Sequence, residues 1–439
     1  MDANVERSAS LERWLPVCVA LAAMYPLVAH WRQFSGLFWF GDELALMAEL
    51  DRMSFWTWLG SSFAENFVPV FKLAWGGVLF LAHGSYPAML LAAWLTHAFN
   101  VWLLARRMAR VGFQLFGILL AACVFGLSAS NIETLTWGVQ WSSELSVTFF
   151  LLAAFEFLDA EEASRAGPWA SVRMGLWSLA GAWSFSRGIL IGPVVLCLAA
   201  TAKGAIRWRL AAALASLIPS IATAYLVARL APENHHEVLT NPGLWGKALA
   251  FFGWYLTLNP WLQLWANLVS NWSLASATAG LVPILGTAKL GIVVAGFYLA
   301  RPRQRRLLAA LLLFDVGYAA LLGFGRSGGE LYLACSSRYQ YNSLVCTLPF
   351  VSVLVDAWLR NAHRWRPVQV ALILLVTASG MWVAESGWGT RLPEWVDTRG
   401  LSTRRFLLQA NPDPAGHDVW SIPYRNDFVK HLAAKYNLH

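Results

Sequence analysis

Two carboxylates, Asp42 and Glu43, stand side by side just past the first apolar run of a chain that holds only 25 Asp and Glu in 439 residues. A carboxylate held at such a boundary can take a proton from a hydroxyl as a general base, or help hold a divalent cation. The same pair also suits a helix start. Asp42 fits the N-cap of a helix beginning at Glu43, and Glu43 fits a first turn, where the dipole favours negative charge. Other reactive types read as structural. His97 lies in an apolar run and is expected to bond a neighbouring helix. Lys289 and Asp315 lie in neighbouring apolar runs, where intramembrane charges pair or mark function, and a pair is expected. In His235-His236-Glu237 the adjacent histidines would point apart on a helix, so a solvated loop is expected. The five cysteines have no metal-ligand spacing.

The elements that must position these groups are membrane helices. The chain is 57% hydrophobic and only 13% charged, with mean hydropathy +0.49. Soluble domains carry roughly 25% charged residues. Half that charge cannot cover a globular surface of this size, which excludes an ordinary soluble enzyme, a disordered chain and a nucleic-acid module. The 25 Trp fit membrane interfaces. A span needs about 20 apolar residues. The clearest runs are 14–31, 86–105, 112–128, 142–158, 208–230, 279–300, 307–324, 342–358 and 367–385. Two shorter runs, 174–186 and 188–202, meet at the polar turn Ser184-Phe185-Ser186-Arg187. The expected fold class is all-α: a polytopic bundle of about 11–13 transmembrane helices. Residues 1–385 form the membrane domain, with a first outer loop over 32–85, and 386–439 form a small outer tail.

Charge sets the orientation. With residues 67–83 lying flat on the surface, Arg7, Arg13, Arg106-Arg107-Arg110, Arg165-Arg173, Lys203-Arg207-Arg209, Arg301 to Arg306 and Arg360-Arg364-Arg366 share one side. That is about half of the 33 Lys and Arg. Positive clusters in short loops stay cytoplasmic. A crossing at 67–83 would turn them all outward, so the flat arrangement is expected. The N-terminus is then cytoplasmic. Loops 32–66, 129–141, 231–244 and 325–341, together with the tail, are extracytoplasmic. Residues 245–277 remain either a surface helix or an in-and-out pair.

In order along the chain come Asp42-Glu43 after the first helix, a Pro-containing juxtamembrane stretch Asn66-Phe67-Val68-Pro69-Val70-Phe71-Lys72, and a helix ending in Arg106-Arg107. A second acidic outer loop follows, Ser128 to Glu133 with Trp137 and Trp141, and finally Ser336-Ser337-Arg338-Tyr339-Gln340-Tyr341. In this order and on one side, the motifs resemble the GT-C superfamily of integral-membrane glycosyltransferases, over residues 10–385. The chain departs from better-known members in having only a short segment after its last span.

The resemblance implies juxtamembrane helices in the first outer loop and an inverting transfer of sugar. The donor would be a polyprenyl-phosphate sugar in the lipid bilayer, and the acceptor a glycan, a lipid-linked molecule or a protein, at the outer face of an inner membrane. Asp42, with Glu43 second, would be the catalytic base. Arg338, then Arg326, Arg187 and Lys72, would bind the donor phosphate, since a guanidinium fork matches phosphate oxygens. Glu133, Trp137, Tyr339 and Tyr341 would contact acceptor or sugar. A divalent cation (Mg or Mn) on Asp42 and Glu133 is an open alternative. Two other functions stay open: a polysaccharide polymerase or ligase using a lipid diphosphate, and a transporter or lipid flippase.

Overall fold

The computed structural model describes residues 14–163, 168–230, 241–261, 274–326, 328–361, 366–401, 403, 404, 407 and 426–439. The His235–Glu237 cluster and residues 408–425 lie outside the described residues. The chain is an all-α polytopic membrane bundle. Its one described β-pairing is a two-residue ribbon, Ser62–Phe63 against Asn66–Phe67. In chain order the helices are α1 (Trp14–Ala29), α2 (Asp42–Arg52), α3 (Phe55–Gly60), α4 (Pro69–Leu81), α5 (Tyr86–Arg110), α6 (Leu115–Leu127), α7 (Ile132–Thr136), α8 (Trp141–Glu162) and α9 (Pro168–Ala182). They continue as α10 (Ile191–Thr201), α11 (Ile206–Leu230), α12 (Trp245–Leu258), α13 (Leu274–Leu299), α14 (Pro302–Arg326), α15 (Ser337–Asn361), α16 (Arg366–Trp395) and α17 (Asn426–Tyr436).

Among the described residues six helices are long and apolar enough to cross a membrane: α5, α8 with its lead-in from Gly138, α11, α13 from Gly280, α14 and α15. A seventh is available if α6 and the 129–136 segment, bent by 43°, count as one. Eleven to thirteen spans were expected. The apolar runs are there, but polar turns cut several short. Ser128–Asn131 ends α6, and the turn at Ser184–Arg187 separates α9 from α10. A helix of 15 residues reaches only about 22 Å against a hydrocarbon core of about 30 Å.

The spans form layers. Most of α8 and α15 is buried inside the bundle, whereas the apolar window of α13 is 11% buried and that of α11 is 28% buried. The outer helices therefore turn apolar side chains such as Leu214, Ile218, Ile221, Leu290 and Val294 outward, as a lipid solvent requires.

The bundle has two chemically distinct ends. At one, Arg107 pairs with Asp159 and with Glu162 (2.9 Å), Arg110 with Asp159 (3.0 Å), and Arg306 with Glu161 (2.9 Å). At the other lie Asp42, the starts of α5, α8 and α15, and the end of α14. Helix α4 has both ends at this second face. The N–H groups of Val70 and Phe71 donate to Trp183 O, beside the 184–187 turn, and the segment after Leu81 leads directly into α5. Residues 69–81 thus lie along the face and do not cross. Helix α12 enters the bundle: Trp245 packs edge-on to Phe324 near the end of α14, and Tyr255 reaches Asp315 lower down (2.8 Å). Of the two arrangements open for 245–277, the first half packs one face, Ala248, Phe251, Tyr255 and Leu258, into the bundle while Trp245 and Leu249 stay exposed; residues 262–273 lie outside the described residues.

The C-terminal helix α17 rests on the segment between α1 and α5. Lys435 and His431 meet Asp51, Tyr86 N–H donates to His439 O (3.0 Å), and His439 N–H donates to Gly84 O (3.3 Å). Gly84 has φ +78, and a Cβ there would come within 2.3 Å of Tyr436 O, so this close approach requires glycine.

Lys289 and Asp315 pair at 3.1 Å, both buried. Tyr255 and Asn342 also donate to Asp315, and Lys289 donates to Asn259 O. Removing one partner leaves the other charge buried and uncompensated. Lys289→Ala is therefore expected to destabilise the bundle by about 3–5 kcal/mol, with much of the loss recovered in Lys289→Met/Asp315→Leu. Thermal unfolding in detergent checks both, and equal melting of the single variant and the wild type would refute the ion pair's role.

Candidate functional site

Helix α2 opens on Gly41, whose φ of +56 suits glycine, and this turn points Asp42 and Glu43 in different directions. Glu43 faces inward and is fully buried. It accepts the Phe40 N–H (3.0 Å) and the Tyr86 hydroxyl (3.3 Å). Gly138 lies against it, and a Cβ there would sit 2.5 Å from Glu43 Oε1. The expectation of Glu43 as a second catalytic base is corrected: its oxygens anchor the loop and face no solvent. The capping role expected of Asp42 also moves. Asp42 makes no side-chain cap bond, and it is Glu43 that receives the N–H ahead of the helix.

Asp42 is exposed. Among the described residues its carboxylate makes no hydrogen bond or ion pair. The surrounding protein desolvates it and raises its pKa above the ordinary aspartate value, while Arg338, Arg326 and Arg399 pull the other way by charge. It is a carboxylate within charge range of three guanidinium groups brought from distant parts of the chain.

Each guanidinium has its own support. Arg338 begins α15, packs over the Tyr339 ring, and stands 3.9 Å from Glu133, whose other oxygen accepts the Arg338 N–H (3.1 Å). Its side chain stays 27% exposed. Arg326 closes α14 and pairs with Glu65 of the ribbon turn (3.3 Å). Arg399 lies in a π-helical turn, Val396–Leu401, with its charge over the rings of Trp395, Phe40 and Trp137. Glu133 is therefore an arginine-orienting carboxylate at the rim, and its charge also reaches Arg391 and Arg399.

Three expected ligand residues lie elsewhere, for identifiable reasons. Lys72 is buried and donates to Trp58 O (2.7 Å), Ser61 O (3.1 Å) and Ser61 Oγ (2.9 Å), so it fastens α4 to α3 and is not presented to a phosphate. Arg187 is fully buried: Nε donates to Ser146 Oγ (2.7 Å), and Nη2 donates to Ser143. It serves the interior of the bundle and not the outer rim. Tyr341 lies in the core, bonded to His97 (3.1 Å) and Asn100 (3.0 Å), where no sugar can stack on it. His97 does bond its neighbours, as its place in an apolar run implies. Trp137 and Tyr339 stay near the site but are largely covered, Trp137 by its stack on Phe40.

Below Arg338 a polar seam runs into the bundle. Glu144 Oε1 and Oε2, Arg187 Nη1, Gln340 Oε1, Asn342 Oδ1 and Ser343 Oγ are buried there without a protein partner, where buried water would satisfy them. Arg399, Glu65 and, apart from Arg187, the residues of this seam were not among the expected site residues. Glu144 had a signal, a carboxylate three residues inside the 142–158 run, which the rule on intramembrane charges singles out. Arg399 had none beyond its place in a polar tail.

A metal fits poorly. Among the described residues no three His, Cys, Asp or Glu side chains are grouped to hold an ion. Asp42 and Glu133 would have to share it with three guanidinium groups, whose charge opposes a cation.

Burial holds the Glu43 carboxyl up at about 8, against hydrogen bonds from Phe40, Gly138 and Tyr86 that lower it. Because the folded value lies above the unfolded one, its contribution to stability is full below about pH 4.5 and is lost as pH rises to about 8, where the loss ends. Glu43→Gln keeps most of the bonds without the titration. It is expected to remove a fall on the order of 4–5 kcal/mol across that interval. Melting temperature against pH reads this directly, and parallel curves for the two proteins would contradict it.

No protein-family model matches the chain, and no curated protein matches it in sequence, so the reading of this site rests on its own chemistry.

Proposed function

We propose that the chain is an inverting glycosyltransferase of the GT-C type. It moves a sugar from a polyprenyl-phosphate donor to an acceptor hydroxyl at the extracytoplasmic face of the membrane. The observation that carries this reading is Asp42, an exposed carboxylate without a partner among the described residues, that feels the charge of Arg338, Arg326 and Arg399 at one end of a membrane bundle.

In this reading Asp42 takes the proton of the acceptor hydroxyl while its oxygen attacks the anomeric carbon. The bond from that carbon to the phosphate oxygen breaks on the opposite side, so configuration inverts. The departing phosphate gains charge, which Arg338 and its neighbours stabilise in a poorly solvated site. The raised pKa of Asp42 makes it a better proton acceptor than an ordinary aspartate. A groove of about 170 Å³ supports a lipid-linked donor. It is lined by Trp245, Ala248, Leu249, Phe252, Ala320, Gly323 and Phe324, and it reaches α14 just before Arg326. An apolar tail lying there would put its phosphate near that guanidinium.

Three guanidinium groups also suit a diphosphate, which favours the polymerase or ligase reading as the runner-up. The test uses the purified chain in nanodiscs with a membrane extract as acceptor source. Labelled polyprenyl-monophosphate sugar is compared with the diphosphate form. Transfer from the monophosphate supports the proposal; transfer from the diphosphate alone replaces it with the runner-up.

A further inference from the structure

At the end of the bundle opposite Asp42, two loops flank an open basic cavity of about 370 Å³ lined by Arg110, Val111, Gly112, Arg301, Pro302 and Arg303. One wall is the link from α5 to α6, the other the link from α13 to α14. The walls are pinned together: Gln304 Nε2 donates to Gly112 O (3.1 Å), and Arg301 N–H donates to Gln304 Oε1 (2.9 Å). Gly112 has φ +82, and a Cβ there would lie 3.3 Å from Arg301 Nη1. Glycine thus supplies the turn and lets a guanidinium lie against the loop.

The charges here are not cancelled. Asp159 takes part of Arg110 (3.0 Å) but also serves Arg107. Asp356 lies near Arg360 and Arg301 and spends one oxygen on the Gln114 N–H (2.8 Å). Among the described residues the side chains of Arg301 and Arg303 have no hydrogen bond or ion pair. The apolar approach is equally specific. Tyr298 and Leu299, the last residues of α13, are 80% and 39% exposed immediately before Arg301. The cavity therefore stands where spanning helices end, with cations at headgroup level and apolar side chains below them. Since α5 runs its 25 residues from the Asp42 face to Arg110, about 37 Å separates this cavity from the proposed active site.

We infer that this cavity binds the phosphodiester headgroup of an anionic glycerophospholipid, with Arg301 and Arg303 on the phosphate and the acyl chains along Tyr298 and Leu299. A basic pocket between helix ends recognises such headgroups. A free phosphate would use the same guanidinium groups but gain nothing from the apolar flank. The inference does not depend on the transferase reading.

The test places the purified full chain in phosphatidylcholine nanodiscs and titrates phosphatidylglycerol, reading co-purified lipid by native mass spectrometry and melting temperature. The wild type is expected to retain phosphatidylglycerol and to melt higher as its fraction rises. Arg301→Ala/Arg303→Ala is expected to need at least about tenfold more of it for the same retention. Lys203→Ala/Arg207→Ala, which removes two charges from the same end outside the cavity, is expected to behave as the wild type. Melting in pure phosphatidylcholine verifies that each variant is folded. Equal retention by both double variants would overturn the inference. So would stabilisation by inorganic phosphate equal to that by the lipid, which would make this a soluble-anion site.

Discussion

Asp42→Asn is expected to leave the bundle folded and donor binding intact while lowering sugar transfer by at least about 100-fold, the low end of what a positioned general base supplies. The substitution is nearly isosteric, and the side chain is exposed, with no hydrogen bond or ion pair among the described residues for the fold to lose. The loss is expected in kcat and not in KM, because the proton moves only as the acceptor attacks. The wild-type rate also carries a sign. Desolvation by the surrounding protein raises the Asp42 pKa, so the acid limb of the pH–rate profile is expected at higher pH than an ordinary aspartate would give. In that limb activity rises with pH as Asp42 becomes ionised. Steady-state rates over pH 4–8 provide both readings, and an unchanged rate in Asp42→Asn would remove Asp42 from the mechanism.

Arg338→Ala is expected to lower the rate by about 10²–10³, the cost of removing one donor aimed at a developing anion. Arg338→Lys is expected to fall between the alanine variant and the wild type, since an ammonium keeps the charge but not the planar fork. Part of the effect reaches Glu133, which orients Arg338 through both its backbone N–H and its guanidinium. Glu133→Gln is then expected to weaken donor affinity more than it affects proton transfer. Binding of polyprenyl phosphate measured alongside kcat separates the two.

Much of the architecture is legible in the amino-acid sequence. Low charge and apolar runs required a membrane bundle, and the Arg clusters required loops sharing one end, where Arg107, Arg110 and Arg306 are now paired with acids. The pairing of Lys289 with Asp315 followed from the cost of a lone buried charge. What was not legible is rotational. Asp42 and Glu43 are equivalent on paper; the turn at Gly41 and the distant Gly138 and Tyr86 decide which one faces outward. Arg187 and Arg338 both follow a serine-containing turn. Only the hydroxyls of Ser143 and Ser146, some 40 residues away, draw Arg187 into the interior. Arg399 joins the site because a π-helical turn after α16 folds back over Phe40 and Trp137, and no local periodicity encodes that return.

In the proposed reaction Asp42 and the guanidinium groups act on one lipid-phosphate sugar. The most direct test is release of polyprenyl phosphate from a labelled polyprenyl-phosphate sugar by purified protein in nanodiscs supplied with membrane extract as the acceptor source, with binding of the same donor measured in parallel without acceptor. The wild type is expected to bind and discharge the donor, Asp42→Asn to bind without discharging it, and Arg338→Ala to bind it at least about tenfold more weakly. Discharge at the same rate by all three proteins, or donor binding by none of them, would contradict the account.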